Sequence, residues 1–187
     1  MVFLAAILVA SCGGGDYTPL PQAYLRIDTP EPSYSVADVP ALPFTFEKNA
    51  AATLTLKRST PHEVWVDLEY PQWDGVVFLS YKHLKNKEDL RGQTDTSLRL
   101  LESHYQFSSG VGERAYNDPI NRVYGTVYHL HGSKVASTYQ FWATDSLHHF
   151  LRGAFYLNRT PNNDSLAPVI EYVQADVDRL VESLRWR

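Results

Sequence analysis

The residues that most constrain this chain are its last ones. In NNDSLAPVIEYVQADVDRLVESLRWR (Asn162 to Arg187), Leu166, Val169, Ile170, Val173, Val177, Leu180, Val181 and Leu184 recur at spacings of three and four. That period places them in one stripe along a helix. Asp164 or Ser165 supplies an N-cap, Pro168 is tolerable in a first turn, and Arg185 and Arg187 suit the negative end of the helix dipole. An apolar stripe of this length must lie on an apolar surface, so the rest of the chain has to provide one.

The preceding sequence changes period from 3.6 to two. HEVWVDLEYP sets Val64, Val66 and Leu68 against Glu63, Trp65, Asp67 and Glu69, which predicts a strand with one wet face. PFTFEK, ATLTLKR and GVVFLSYKHL read as further strands, the last entered through the turn-like PQWDG. RVYGTVYHLHG, KVASTYQFWATD and HHFLRGAFYLN follow, separated by connections short enough for antiparallel hairpins. Between the two groups, NKEDLRGQTDTSLRLLESHY places Leu90, Thr94, Ser97, Leu98, Leu101 and Tyr105 on one helical face, with Gly92 weakening its first turns. Strands, helix, strands, helix predicts an α+β fold: one domain, mainly antiparallel sheet, with an internal helix and a long C-terminal amphipathic helix packed on it. It is an α/β/α sandwich if helices take both faces. The 187 residues suit a single domain, and 44% apolar against 20% charged residues supports a packed core. A net charge of −4 with scattered Lys and Arg excludes an electrostatic footprint for nucleic acid.

The start of the chain has another character. VFLAAILVA (Val2 to Ala10) is uninterrupted apolar sequence. As helix it rises about 14 Å, half a bilayer core, so it fits the apolar region of an export signal and not a transmembrane span. No Lys or Arg precedes it, a departure from the signal pattern that leaves open a true start upstream of Met1. Val9-Ala10-Ser11-Cys12 resembles the lipobox of bacterial lipoproteins, in which the cysteine becomes the acylated N-terminus. Cys12 is the only cysteine, which excludes an intrachain disulfide. Multiple acyl chains there would hold the protein on a membrane almost permanently. Residues 1–11 are therefore expected to be a signal peptide and 12–41 a lipidated cysteine followed by an extended linker. The glycines Gly13 to Gly15 and six prolines up to Pro43 mark that linker, and AYLRID (Ala23 to Asp28) is its one candidate edge strand. The domain is expected over 42–187.

Catalytic signatures are missing. There is no phosphate-binding P-loop, no Gly-x-Ser-x-Gly elbow, no His-Glu-x-x-His and no cysteine pair, and an acylated Cys12 has no free thiol. His129 and His131 share a strand face, and His148 and His149 open a nearby strand, but no further ligand is fixed by spacing, so solvent-facing histidines are expected and no metal. Asp145-Ser146-Leu147 and Asp164-Ser165-Leu166 match a short acceptor motif for O-glycosylation in exported Bacteroidetes proteins, yet both also make good turn or cap signals, the reading preferred here. Two residues stand out as partner contacts: Arg152, a charge amid apolar strand residues, and Trp73, read as exposed in a loop.

YLRIDTPEPSY after a lipobox, LSYKHL before a helix, the long segment from Arg122 to Val169 and a final SLRW together resemble the gliding motility lipoprotein GldD family of the Bacteroidetes. The resemblance runs from Cys12 nearly to the end. It implies an exported lipoprotein of the cell envelope, anchored in a membrane by acyl chains on Cys12 and facing the periplasm. It implies support of gliding motility and the linked type IX secretion machinery, with other envelope proteins of that apparatus as partners. It implies no catalytic residues and no cofactor. The competing expectation is a ligand- or metal-binding lipoprotein, hydrolytic in one version, with a cleft between sheet and helices lined by His129, His131 and His149.

Overall fold

A computed structural model describes residues 26–187. The signal segment, Cys12 and the first half of the expected linker lie outside the described residues. The central element is a seven-stranded antiparallel sheet built from two meanders. The first comprises β4 (Thr53–Thr60), β5 (Glu63–Tyr70) and β6 (Gly75–His83). The second comprises β7 (Gly110–Asp118), β8 (Val123–His131), β9 (Tyr139–Thr144) and β10 (His149–Leu157). They join where β6 pairs with β10, giving the order β4-β5-β6-β10-β9-β8-β7. β10 is buried on both faces for most of its length, as its apolar run FLRGAF requires of a central strand. The edge strand β7 is largely exposed.

Helix α2 (Asn163–Ser183) covers one face. Its Val169, Ile170, Val173, Val177, Leu180 and Val181 join a core with Val64, Val66 and Leu68 of β5, Val77 and Leu79 of β6, Phe141 of β9 and Leu151 and Phe155 of β10. Burying each such side chain contributes about 1.5–3 kcal/mol. Helix α1 (Lys87–Glu102) crosses the other face and carries the chain from β6 to the far edge at β7. Its Leu98 and Leu101 pack on Tyr128, Leu130 and Trp142. With a helix on each face the domain is the α/β/α form of the expected α+β fold. α1 covers only part of its face: Trp65 of β5 and Phe78 of β6 stay about 40% exposed there.

Several boundaries differ from the sequence reading. α2 starts one residue before Asp164, with Asn162 at its N-cap, so Pro168 lies beyond its first turn. Asn163 holds this end by donating to the carbonyls of Gly132 and Val135 at 2.7 and 2.9 Å. The helix stops at Ser183, and Arg185–Trp186 become β11, paired with β2 (Phe44–Thr45). Trp186 is drawn into that strand because it packs edge-on against Phe44 and stacks on His149. Arg185 still donates to the carbonyls of Glu182 and Leu184 at the helix end, as a cation there should. In the linker, Arg26 to Asp28 are not a strand. β1 forms instead at Tyr34–Val36 and pairs with β3 (Glu47–Asn49), so the last part of the expected spacer is docked on the domain.

Candidate functional site

The docking of the N-terminal arm rests on one buried carboxylate. Asp176 of α2 accepts from the Tyr34 hydroxyl at 2.7 Å, the Tyr70 hydroxyl at 2.9 Å and Asn49 Nδ2 at 2.9 Å. Asn49 Nδ2 also meets the Tyr172 hydroxyl at 2.8 Å. Burial pushes the Asp176 carboxyl above its ordinary range, against the pull of these three donors. Burial also raises Tyr34 and Tyr70, helped by the carboxylate they face, so both stay protonated and donating. The cluster is a latch between α2, the sheet and the segment that leads back toward Cys12.

The two residues read as contacts fare differently. Trp73 is buried at 9% exposure, a correction to its reading as an exposed loop residue. It sits in a 3-10 turn (Pro71–Trp73), stacks on Tyr70 and meets Tyr172 of α2 edge-on at 5.1 Å. Its indole completes the wall of the Asp176 latch. Arg152 lies on the α1 face of β10, half-buried, and donates to Gln140 Oε1 at 2.6 Å. Among the described residues it has no ion pair, and burial lowers its guanidinium below the usual value. Its charge pushes the half-buried His104 imidazole further down, after burial. Gln140 Nε2, buried beside it, finds no acceptor among the described residues.

Six of the seven histidines form two groups at opposite ends of the sheet. The register sets His129 against Tyr139, and Tyr139 against Phe155 of β10, whereas His149 pairs with His83 at the other end. Six residues of strand, roughly 20 Å, separate those ends. His129, His131 and His149 therefore do not line one cleft, a correction to the competing expectation. His129 and His131, with ring centroids 4.1 Å apart, border a groove of about 210 Å³ together with Thr138, Asn163, Glu171 and Gln174. Gln174 Nε2 lies 2.9 Å from His129 Nε2 and engages its lone pair. Burial, then the neighbouring His131, lowers the His129 pKa. Among the described residues, no three His, Cys, Asp or Glu side chains are placed to hold a metal ion as they stand.

At the other end, four imidazoles gather. His62, His83, His148 and His149 surround a corner where Trp186 stacks on His149 at 5.1 Å and the Tyr81 hydroxyl lies 2.9 Å from His149 Nδ1. The hairpin before His149 is shaped by Asp145, whose Oδ1 accepts from the backbone N–H groups of Leu147, His148 and His149 at 2.8–2.9 Å. This is the turn role of the first Asp-Ser-Leu. His62 and His83 carry no mark in the sequence; only strand register brings them to this corner.

Fold and surface together define a class: an α+β domain with a docked N-terminal arm, in which the described residues include no helix long and apolar enough to cross a membrane. The model of the gliding motility lipoprotein GldD family matches residues 14–186, and the chain belongs to that family. No curated protein and no solved structure matches it. Membership gives the chain a role in gliding motility and a place among membrane-anchored envelope proteins.

Proposed function

We propose that this protein is a non-enzymatic component of the gliding apparatus and its linked type IX secretion machinery, held at the membrane by acyl chains on Cys12 and working by contact with neighbouring envelope proteins. The observation that carries the reading is the family match across 14–186, nearly the whole chain. The lipobox before it supports the anchor, with residues 1–11 removed as signal and the arm after Cys12 as the tether, which meets the domain from Ile27 onward. The contact surface is the part of the sheet that α1 leaves open. Trp65 and Phe78 are exposed there, Tyr156 lies against Phe78 at 5.8 Å, and Arg152 stands beside them without a carboxylate. An unpaired guanidinium beside exposed aromatic rings is the composition of an interface anchor. Separation of the two histidine groups removes only the particular cleft of His129, His131 and His149 on which the competing reading rests.

A deletion strain and a Cys12→Ala strain test this. Loss of colony spreading and of export of type IX cargo is expected in the deletion, with a marked defect in Cys12→Ala. Normal spreading and export in both would overturn it. Arg152→Ala with Phe78→Ala should impair spreading while the protein stays folded and membrane-bound.

A further inference from the structure

Four of the seven histidines, none used by the motility reading, occupy one corner. We propose that this corner binds one divalent transition-metal ion of the zinc, nickel or copper class, with His83 as the central ligand and His62, His148 and His149 around it. Register is the first observation. His83 N donates to the His62 carbonyl at 2.9 Å, and His83 pairs directly with His149, so the three stand in one row across three adjacent chain segments. Directly opposed residues share a sheet face with Cβ atoms about 4.5–5.5 Å apart, the span over which two imidazoles reach one ion. His148 adds a fourth ring, stacked on His83 at 5.9 Å.

Ring separations are the second observation. Centroids lie 6.1 Å (His62 to His83), 6.5 Å (His83 to His149) and 6.4 Å (His148 to His149) apart. Two imidazole nitrogens bound tetrahedrally to a shared zinc put their ring centroids about 5 Å apart. The rings are thus roughly an ångström too far apart to converge as they stand, in accord with the lack of a ready-made three-ligand set. Side-chain rotation closes that gap: His62, His83 and His148 are exposed, and their rings make no hydrogen bond among the described residues. His149 is the fixed ring. Its Nδ1 lies 2.9 Å from the Tyr81 hydroxyl, a partner able to accept Nδ1–H in the tautomer that frees Nε2 for a metal. Hollows of about 500 and 410 Å³ flank His83 and give an ion access.

Chemistry selects the ion and the site. An all-imidazole set favours zinc, nickel and copper over magnesium and calcium, which take oxygen ligands. The His129–His131 pair is the poorer site, because Gln174 already occupies His129 Nε2.

The test is calorimetric titration of the untagged full-length lipoprotein in detergent with zinc chloride and, in parallel, magnesium chloride at pH 7.5. One zinc per chain is expected, with no heat from magnesium. His83→Gln and, separately, His148→Gln should each weaken zinc binding about tenfold or more. His129→Gln combined with His131→Gln should leave it unchanged, and acidification to pH 5 should abolish it. Absence of zinc binding, unchanged affinity in His83→Gln, or loss in the His129/His131 variant would each overturn the proposal. Circular dichroism of each variant separates lost ligands from lost fold.

Discussion

At the scale of single residues, two positions carry most of the consequence. Gly153 pairs with Phe141, whose ring lies directly over it: a Cβ at Gly153 would sit 2.0 Å from Phe141 Cε1. Gly153→Ala therefore forces Phe141 out of the core and should destabilise by about 1–3 kcal/mol or more, read as a lower urea midpoint. Asp176 is the second. Asp176→Ala leaves the Tyr34 and Tyr70 hydroxyls without their acceptor, one of them fully buried, and should cost about 1–3 kcal/mol while speeding amide exchange in Tyr34–Val36. Residues of this kind are only half legible in a sequence. Arg152 stands out because a charge inside an apolar run is anomalous wherever the run folds. Trp73 misleads because its flanks, Gln72 and Asp74, are exposed while its own ring turns inward onto Tyr70 and Tyr172. His62 and His83 are silent, since their meeting depends on register between segments far apart in the chain.

At the scale of elements, amphipathic period determines what can be read in advance. β5, β6, β8, β9, β10 and both helices follow from alternation or from the three-and-four stripe. β7 does not, because in the edge strand GVGERAYND only Tyr116 packs on the core, which is too little for an alternation to show. The strand β11 was hidden inside the helical stripe: Leu184 continues the helix period, yet the backbone turns extended there so that Trp186 can reach Phe44. Two element-level changes test these assignments. Gly92 lies in α1 with open space where a Cβ would be, so Gly92→Ala should stabilise by about 0.5–1 kcal/mol, raising the thermal midpoint. Truncation after Leu184 removes β11, the indole bond from Trp186 to the Arg122 carbonyl and the Arg187–Asp38 pair. It should expose residues 38–45 to limited proteolysis while the seven-stranded sheet persists.

At the scale of the whole molecule, pH acts through imidazoles held neutral by burial. His104, His129 and His149 are each lowered from the ordinary value, with burial the leading cause. The folded state thus binds protons less readily than the unfolded chain. The stability they contribute is complete above about pH 6.5 and is lost as pH falls below it through the depressed folded values. Asp176, raised by burial, has the opposite sign and favours folding as its carboxyl takes up a proton. Urea midpoints measured between about pH 7 and 5 should therefore decline, and His149→Gln should flatten that decline. The latch at Asp176 bears on mechanics too. On the proposed anchor at Cys12, a pull transmitted along the arm meets Ile27, packed on the core, and then Ser33 and Tyr34. The β1–β3 ladder, the flanking Ser33–Ala50 and Ala37–Phe46 backbone bonds and the Tyr34–Asp176 bond then stand between the rope and the body. That seam would yield before the sheet felt any strain, letting the leash lengthen by several residues without unfolding what it holds.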